Sequence, residues 1–177
     1  MIDLYSGTPG SGKSLHVAER IDIYMSLRKS PVIANFEFNA YMCNCKGNGS
    51  FFYVSNNELK PRFLMNFSDR YRDQVGRRLK EDEILLVIDE AQIIFNSRNW
   101  GGKSRMDWIS FFSQHRKFGY HIILVAQYDE MLDKQIRPLI EYEHKHRKVK
   151  NAGLAGTIMN LIAGGNLHVC NVTSLFP

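Results

Sequence analysis

The chain has 177 residues, of which 44% are hydrophobic and 23% are charged. This length suits one domain with a sizeable core, and the composition excludes a disordered chain and a disulfide-rich scaffold. The formal net charge of +5 is compatible with a polyanionic partner, but so small an excess is also common in proteins that bind no nucleic acid.

The cysteines and the apolar runs indicate the cellular setting. Cys43, Cys45 and Cys170 form no even disulfide framework, and the Cys43 and Cys45 pair has no second Cys or His pair at zinc spacing. The residues before Gly7 lack the basic segment with which a signal peptide begins, and no apolar run reaches the roughly 18 residues of a membrane span. The sequence therefore predicts a soluble protein in a reducing, cytoplasmic compartment.

Hydrophobic periodicity divides the chain into alternating strands and helices. In chain order we predict a strand over 2–5, a helix over 13–27, a strand over 31–34, a helix over 56–74, a strand over 84–88, a helix over 106–117 and a strand over 121–126. The strand segments are short and rich in β-branched residues, as expected for strands buried on both faces of a parallel sheet. This alternation predicts a three-layer α/β sandwich with a mostly parallel central sheet.

Two segments fall outside this alternation. Residues 39–53, with Asn, Gly and Cys followed by aromatics, predict a hairpin-like excursion from the sheet. Residues 139–144 alternate like a strand with one solvated face, and the basic run 145–150 is best interpreted as a solvated strand face or turn. No Pro/Gly-rich linker divides the chain, so we predict one domain over residues 1–177.

The segment between the first strand and the first helix carries the clearest motif. It matches the phosphate-binding pattern G-x-x-x-x-G-K-[ST] at every fixed position, with Gly7, Thr8, Pro9, Gly10, Ser11, Gly12, Lys13 and Ser14. Glycines let successive backbone N–H groups point into one concavity, which together with the helix N-terminus can hold phosphate oxygens. We predict that this loop binds ATP, with Lys13 on the β- and γ-phosphates and the Ser14 hydroxyl on Mg²⁺.

A second candidate element lies at the end of the strand predicted over 84–88. Asp89 and Glu90 follow it directly, at the edge where open α/β sheets bind ligands. We predict that Asp89 contributes to the Mg²⁺ shell and that Glu90 orients and deprotonates the attacking water. An acidic pair at a strand end is by itself most often a solvated edge, so this interpretation depends on the phosphate loop.

Three further residues are candidates for the catalytic site. Gln127 follows the strand over 121–126 and can sense the γ-phosphate or fix the water, although Gln is also common at strand exits. Arg116 and Arg137 are candidate arginine fingers, which a neighbouring subunit often supplies. For any one arginine a surface position is the more common outcome, and the aromatics near Trp108 are more often core than a nucleic-acid groove.

The order of these motifs resembles that of one known family. The phosphate loop is followed by VIAN at 32–35, IDEAQ at 88–92, QHRKFG at 114–119 and LVAQ at 124–127. Over about residues 1–148 the chain is similar to the N-terminal ATPase domain of zonular occludens toxin (Zot) and the related filamentous-phage assembly proteins. The phosphate loop is generic to many NTPases, whereas the DEAQ and HR segments are the more specific part.

The resemblance implies a P-loop NTPase of the RecA/ASCE type, related to FtsK/HerA-type motors, that uses ATP during assembly and export of filamentous virions. It supports the roles predicted for the phosphate loop, Asp89 and Glu90, assigns Gln127 to the γ-phosphate sensor and gives weight to Arg116. It also implies a ring-like homo-oligomer that works with phage or membrane assembly proteins at the cytoplasmic face of the bacterial inner membrane.

Some expectations stay open at this point. Members of the family usually continue into a membrane-spanning helix and an outer segment, which we do not expect in this chain, and the insert over 43–49 matches no family role. A DNA-translocating or genome-packaging ATPase, with single-stranded DNA or nucleoprotein as a candidate partner, is one alternative function. A nucleotide-gated interaction module with negligible hydrolysis is another.

Overall fold

The centre of the molecule is a single mixed sheet. The computed structural model describes residues 1–39, 49–96, 102–148 and 168–175. Within these ranges the sheet has seven strands in the order β3-β2-β4-β5-β1-β6-β7. They are β1 Ile2–Ser6, β2 Val32–Ala34, β3 Phe51–Tyr53, β4 Ile84–Ile88, β5 Tyr120–Val125, β6 Tyr142–Lys148 and β7 His168–Ser174. All neighbours are parallel except β6 and β7, so the predicted mostly parallel sheet is confirmed.

Helices and short helical turns connect the strands. The α-helices are α1 Lys13–Asp22, α2 Pro61–Val75, α3 Ala91–Ile94 and α4 Gly102–Gln114. A π-helical turn, Ile23–Leu27, continues α1, and 3₁₀ turns follow at His115–Phe118, Asp129–Met131 and Arg137–Leu139. Within the described ranges, none of the helices is long and apolar enough to cross a membrane.

The core lies on both faces of the sheet, because consecutive strand residues point to opposite sides. On one face, sheet residues pack against α2 and α4, and this cluster includes Leu4, Leu86, Leu124, Leu64, Trp108, Phe111 and Phe112. On the other face, sheet residues pack against α1, and this cluster includes Tyr5, Leu85, Val87, Val125, Val17 and Ile21. The three-layer prediction is confirmed, and the aromatics of α4 belong to the core.

Proline shifts two predicted boundaries. We predicted a helix over 56–74, but α2 begins at Pro61 because Lys60, the residue before the proline, is extended with φ −129° and ψ 152°. We also predicted a strand over 139–144, but Pro138 lies in the 3₁₀ turn Arg137–Leu139 and β6 begins only at Tyr142. In β6 the residues Lys145, Arg147 and Lys148 are exposed, as predicted for a solvated strand face.

The excursion predicted over 39–53 differs at its end. Residues 40–48, which include Cys43 and Cys45, lie outside the described residues. Phe51–Tyr53 is not the second arm of a hairpin, because it pairs in parallel with β2, Val32 opposite Phe51, as the edge strand of the main sheet. A parallel pair needs a crossover connection rather than a tight turn, so this segment extends the sheet.

Candidate functional site

Sheet topology places three predicted motifs at one edge. The strands β4, β5 and β1 are parallel neighbours, so their carboxyl ends meet at the same edge. The phosphate loop follows β1, Asp89 and Glu90 follow β4, and Gln127 follows β5. The Gly7 N–H donates to the Gln127 carbonyl oxygen at 3.1 Å, which joins the loop to the end of the neighbouring strand.

The backbone of the phosphate loop requires glycine. Gly7 has φ 143° and Gly12 has φ 98°, in a region that other residues rarely adopt. A Cβ at Gly7 would clash with the His146 carbonyl oxygen, and one at Gly12 would lie 2.9 Å from His168 Cγ. Helix α1 then begins at Lys13, so its first N–H groups have no partner within the helix and face the loop. This arrangement suits an anion.

Two side chains show how this loop fits a phosphate. The Ser11 Oγ is buried and has no hydrogen-bond partner among the residues that the structure describes. The Lys13 Nζ donates to the carbonyl oxygens of Gly7, at 2.6 Å, and Thr8, at 3.3 Å, and so folds back over its own loop. An ammonium, the N-terminus of α1 and an unsatisfied hydroxyl form a donor set that a triphosphate can satisfy.

The two predicted metal ligands share a cavity. Ser14 and Asp89 both line a space of about 160 Å³ between α1 and the sheet, with Val17, Ala18, Ile21, Phe36, Phe38 and Val125. Burial raises the pKa of Asp89, against the opposing effects of the Glu90 N–H and the Lys13 charge. A divalent cation would offset this cost by favouring the carboxylate, and hydroxyl and carboxylate oxygens are the ligands that Mg²⁺ prefers. The residues present therefore fit the ion.

Glu90 has an unusual backbone. It is one of three non-glycine residues with positive φ in the described ranges, at φ 47° and ψ 47°, and it precedes the short helix α3. Its side chain is exposed and accepts a hydrogen bond from Gln92 Nε2. Left-handed backbone at non-glycine residues is unfavourable by about 1–2 kcal/mol and is often found at functional sites. The conformation directs Glu90 away from the line of β4.

Asn35 holds Asp89 in place, which the sequence analysis did not predict. Its Oδ1 accepts from the Asp89 N–H at 2.7 Å, and its Nδ2 donates to the Asp89 carbonyl at 2.9 Å and to Asn56 Oδ1 at 2.8 Å. Asn35 directly follows β2 and Asp89 directly follows β4, while Gln127 lies two residues beyond the end of β5. A polar residue at the end of one more parallel strand was the signal that could have identified it.

The two candidate arginine fingers lie away from the phosphate loop of their own subunit. Arg116 precedes β5 and pairs with Glu141, Nη2 to Oε2 2.6 Å, just before β6 begins, so both are at the opposite edge of the sheet. Arg137 lies in the connection between β5 and β6, where its Nε donates to the Leu132 carbonyl oxygen at 3.2 Å. The structure does not bring either residue together with Lys13 and Asp89.

Strands β6 and β7 cover the phosphate loop from one side. A Cβ on Gly10 would lie 3.1 Å from Lys148 Nζ, and the ring of His168 lies against Gly12. Lys148 and His168 are directly opposite each other in the antiparallel pair. The sequence analysis assigned Lys148 to the solvated basic run and predicted no role for His168, because their proximity depends on strand register rather than on a local pattern.

The family model described as Zonular occludens toxin (Zot) matches residues 1–165 of the chain. The chain belongs to the Zot family. This Zot-family chain is 30% identical over 178 residues to the Gene 1 protein of Enterobacteria phage I2-2, covering 94% of the chain and 46% of that protein. It is 31% identical over 178 residues to the Gene 1 protein of Salmonella phage IKe, with the same coverage of both. The chain thus spans about half the length of these relatives.

Solved structures share the fold of this Zot-family chain. The N-terminal domain of zonular occludens toxin from Neisseria meningitidis has a TM-score of 0.56 and 17% identity over 99% of this chain and 93% of that one. B204, the DNA-packaging ATPase of Sulfolobus turreted icosahedral virus, has a TM-score of 0.60 and 17% identity, and the match covers 81% of this chain and 74% of that one. The genome-packaging NTPase B204 of Sulfolobus turreted icosahedral virus 2, in complex with ATP-gammaS, has a TM-score of 0.57 and 15% identity, and the match covers 99% of this chain and 96% of that one. The predicted P-loop NTPase fold is confirmed.

Proposed function

We propose that this Zot-family domain binds and hydrolyses MgATP to power the assembly and export of filamentous virions. The observation that carries the proposal is one sheet edge where the phosphate loop, the cavity shared by Ser14 and Asp89, and Glu90 lie together. Membership of the Zot family and similarity to Gene 1 proteins of phages support the setting. The fold shared with an NTPase in complex with ATP-gammaS supports nucleotide binding.

The residues at this edge divide the chemistry among them. Mg²⁺, when bound, would neutralise part of the negative charge of the phosphates, and Ser14 and Asp89 would hold the ion. The loop N–H groups and the Ser11 hydroxyl bind the phosphate oxygens, and Lys13 exchanges the carbonyl oxygens of Gly7 and Thr8 for the β- and γ-phosphates. Glu90 orients the attacking water and accepts its proton, while Gln127 senses the γ-phosphate from the end of β5.

We assign the arginine fingers to a neighbouring subunit. Arg116 is 53% exposed at the edge of the sheet opposite the phosphate loop, so only the nucleotide of another subunit is within its reach. A ring-like homo-oligomer places such an arginine across the interface. Arg137, in the connection before β6, is the second candidate for the same role. We place the full-length protein at the cytoplasmic face of the bacterial inner membrane, with phage or membrane assembly proteins as partners.

The proposal is tested by ATP hydrolysis over a wide range of protein concentrations. We expect Mg²⁺-dependent activity that rises steeply with concentration, falls at least about 100-fold in Lys13→Ala, and falls similarly in Glu90→Gln while ATP binding is retained. Mixing inactive Lys13→Ala with inactive Arg116→Ala should restore part of the activity if the finger acts across an interface. Normal turnover in Glu90→Gln would refute the role of that carboxylate.

A second candidate function is DNA translocation or genome packaging. It is favoured by the shared fold with a DNA-packaging ATPase and by the net charge of +5. Addition of single- or double-stranded DNA should then increase the rate of ATP hydrolysis. Tight ATP binding without turnover in the assembled oligomer would instead support a nucleotide-gated interaction module.

A further inference from the structure

A cluster of histidines with one cysteine lies beside the phosphate loop and has no part in the proposed hydrolysis. His16 belongs to α1, His144 and His146 to β6, and Cys170 to β7. The cluster forms because His144 and His146 alternate onto the buried side of β6 and because Cys170 is directly opposite His146 in the antiparallel register. Cross-strand partners on one face are close enough to share a ligand.

The potential ligand atoms converge. His16 Nδ1 lies 2.9 Å from His146 Nε2, and the ligand atoms of His16, His146 and Cys170 all lie within 4.8 Å of one another. Around a tetrahedral zinc ion, nitrogen and sulfur ligands are separated by about 3.3–3.6 Å. Shifts of about 1 Å in side chains that already face one another would therefore reach this geometry.

The outer nitrogens of both imidazoles are already positioned. His146 Nδ1–H donates to the Ser6 carbonyl oxygen at 3.3 Å, which leaves the lone pair of Nε2 directed at the cluster. Without a metal ion, His16 Nδ1–H donates to this lone pair at 2.9 Å; transfer of that proton to His16 Nε2, which lies 3.4 Å from the Tyr5 hydroxyl, would free Nδ1 for an ion. Backbone carbonyls and hydroxyls that hold the second nitrogen of a histidine are typical of metal sites.

The charge states suit metal binding. Burial, and then the neighbouring His146 and His144, lower the pKa of His16 to about 4, and burial lowers the pKa of His146. Both imidazoles are therefore neutral near pH 7, as metal ligands must be. Burial raises the pKa of the Cys170 thiol, so a metal ion has to displace the thiol proton in order to bind the sulfur.

We propose that His16, His146 and Cys170 form a zinc site that joins α1 to the β6–β7 pair. Two imidazoles and one thiolate are the ligand types that select Zn²⁺ over Mg²⁺, which prefers oxygen. Cys170 lies on an exposed strand, so the ion can enter from solvent and the fourth position is open to water. His144 borders the site, with its Nδ1 3.9 Å from Cys170 Sγ and its Nε2 3.6 Å from Asp3 Oδ2.

This position gives the ion a structural consequence. The same β6–β7 pair brings the His146 carbonyl against Gly7 and the His168 ring against Gly12. His16 is three residues beyond Lys13 on the helix that the phosphate loop leads into. Zinc would therefore fix the strands that cover the phosphate loop to the helix that follows it.

The test uses the full chain without nucleotide, so its outcome is independent of ATP hydrolysis. The background is Cys43→Ser with Cys45→Ser, which leaves Cys170 as the single remaining thiol. After removal of metals with a chelator, Co²⁺ is titrated as a spectroscopic probe and then displaced by Zn²⁺. Melting temperature is recorded with and without Zn²⁺.

We expect a thiolate-to-cobalt absorption band that saturates at about one ion per chain and is abolished by Zn²⁺. Cys170→Ser, on an exposed strand, should keep the fold and lose both the band and the zinc-dependent rise in melting temperature. His16→Gln and His146→Gln should each weaken binding at least about tenfold. His168→Gln is the matched control and should bind normally. Absence of the band, or unchanged binding in both His16→Gln and His146→Gln, would overturn the proposal.

Discussion

The two edges of the parallel sheet differ in how their polar groups are satisfied. At the edge where the strands begin, charges pair with one another: Met1 ammonium with Asp82 at 2.9 Å, Arg77 with Glu83 at 2.6 Å and Arg116 with Glu141 at 2.6 Å. At the edge where they end, Ser11 Oγ has no partner among the described residues, and burial raises the pKa of Asp89.

This difference separates stability from function within one sheet. The paired charges at the first edge lie just before β1, β4, β5 and β6 and are satisfied without a ligand. An unsatisfied hydroxyl and a partly buried carboxylate at the second edge are unfavourable in the free protein and become favourable only when a ligand completes them. Within a single subunit, substitutions at the second edge should therefore affect nucleotide binding and turnover more strongly than substitutions at the first edge.

The largest effect is expected from Glu90→Gly. Turnover should fall at least about 100-fold because the proposed general base is lost, while the free energy of unfolding rises by about 0.5–1 kcal/mol because glycine relieves the positive φ. Both quantities can be measured on one preparation by ATPase assay and urea unfolding. Glu90→Ala is the control, since it removes the carboxylate and keeps the strain. Equal stability of the two variants would contradict the argument.

Asn35→Ala should have the next largest effect. Loss of its two hydrogen bonds to the Asp89 backbone should reduce turnover about tenfold and the free energy of unfolding by about 2 kcal/mol. Mg²⁺ dependence of the rate should shift to higher concentration, because Asp89 is no longer held toward the cavity. The matched variant is Asn56→Ala, which removes only the other contact of Asn35 and should leave the Mg²⁺ dependence unchanged.

Asp3, which is buried in β1, should make the stability of the fold depend on pH in the acid range. Burial opposes ionisation of Asp3, but hydrogen bonds and charge from His121 and His144 outweigh it and lower the pKa of Asp3 to about 2. The unfolded value is 3.8, so the stabilisation is complete above about pH 4 and is lost as the pH falls toward 2. The expected loss is about 2 kcal/mol, measured as urea midpoints across this range. In Asp3→Asn this part of the pH dependence should disappear, and an unchanged slope would exclude Asp3 as its source.

The smallest effect on the stability of a single subunit is expected at the edge where the strands begin. Arg116→Ala should lower the free energy of unfolding by less than about 1 kcal/mol, because the arginine is half-exposed and its pairing with Glu141 is screened by solvent. Nucleotide affinity of the dilute chain should stay that of the wild type. A loss of affinity at concentrations too low for assembly would place Arg116 in its own subunit's site.

The positions of the phosphate loop, Asp89 and Gln127 at one edge of the sheet were predictable because their signals are local. The phosphate loop is continuous in sequence, and Asp89 and Gln127 each follow an apolar run that could only be a buried strand. The start of α2 was predicted too early, because the steric effect of Pro61 keeps Lys60 extended and delays the helix to residue 61.

The histidine cluster was not predictable from local pattern. His16 and His146 are 130 positions apart, and their contact depends on β6 pairing with β1 and on α1 covering the same face. Cys170 joins them only through the register of β7, which no spacing rule gives. The cysteines show no zinc spacing along the chain, whereas this arrangement exists only across the sheet.

The position of β1 has a consequence for biosynthesis. This strand lies inside the sheet but is translated well before its partners: Ile2 pairs with Ile122, and Asp3 pairs with Tyr142. At about 5–20 residues per second, the phosphate loop leaves the ribosome roughly ten seconds before the strands that hold it. The first motif to be made is thus among the last to be assembled, and a stalled nascent chain should carry this loop without any capacity to retain nucleotide.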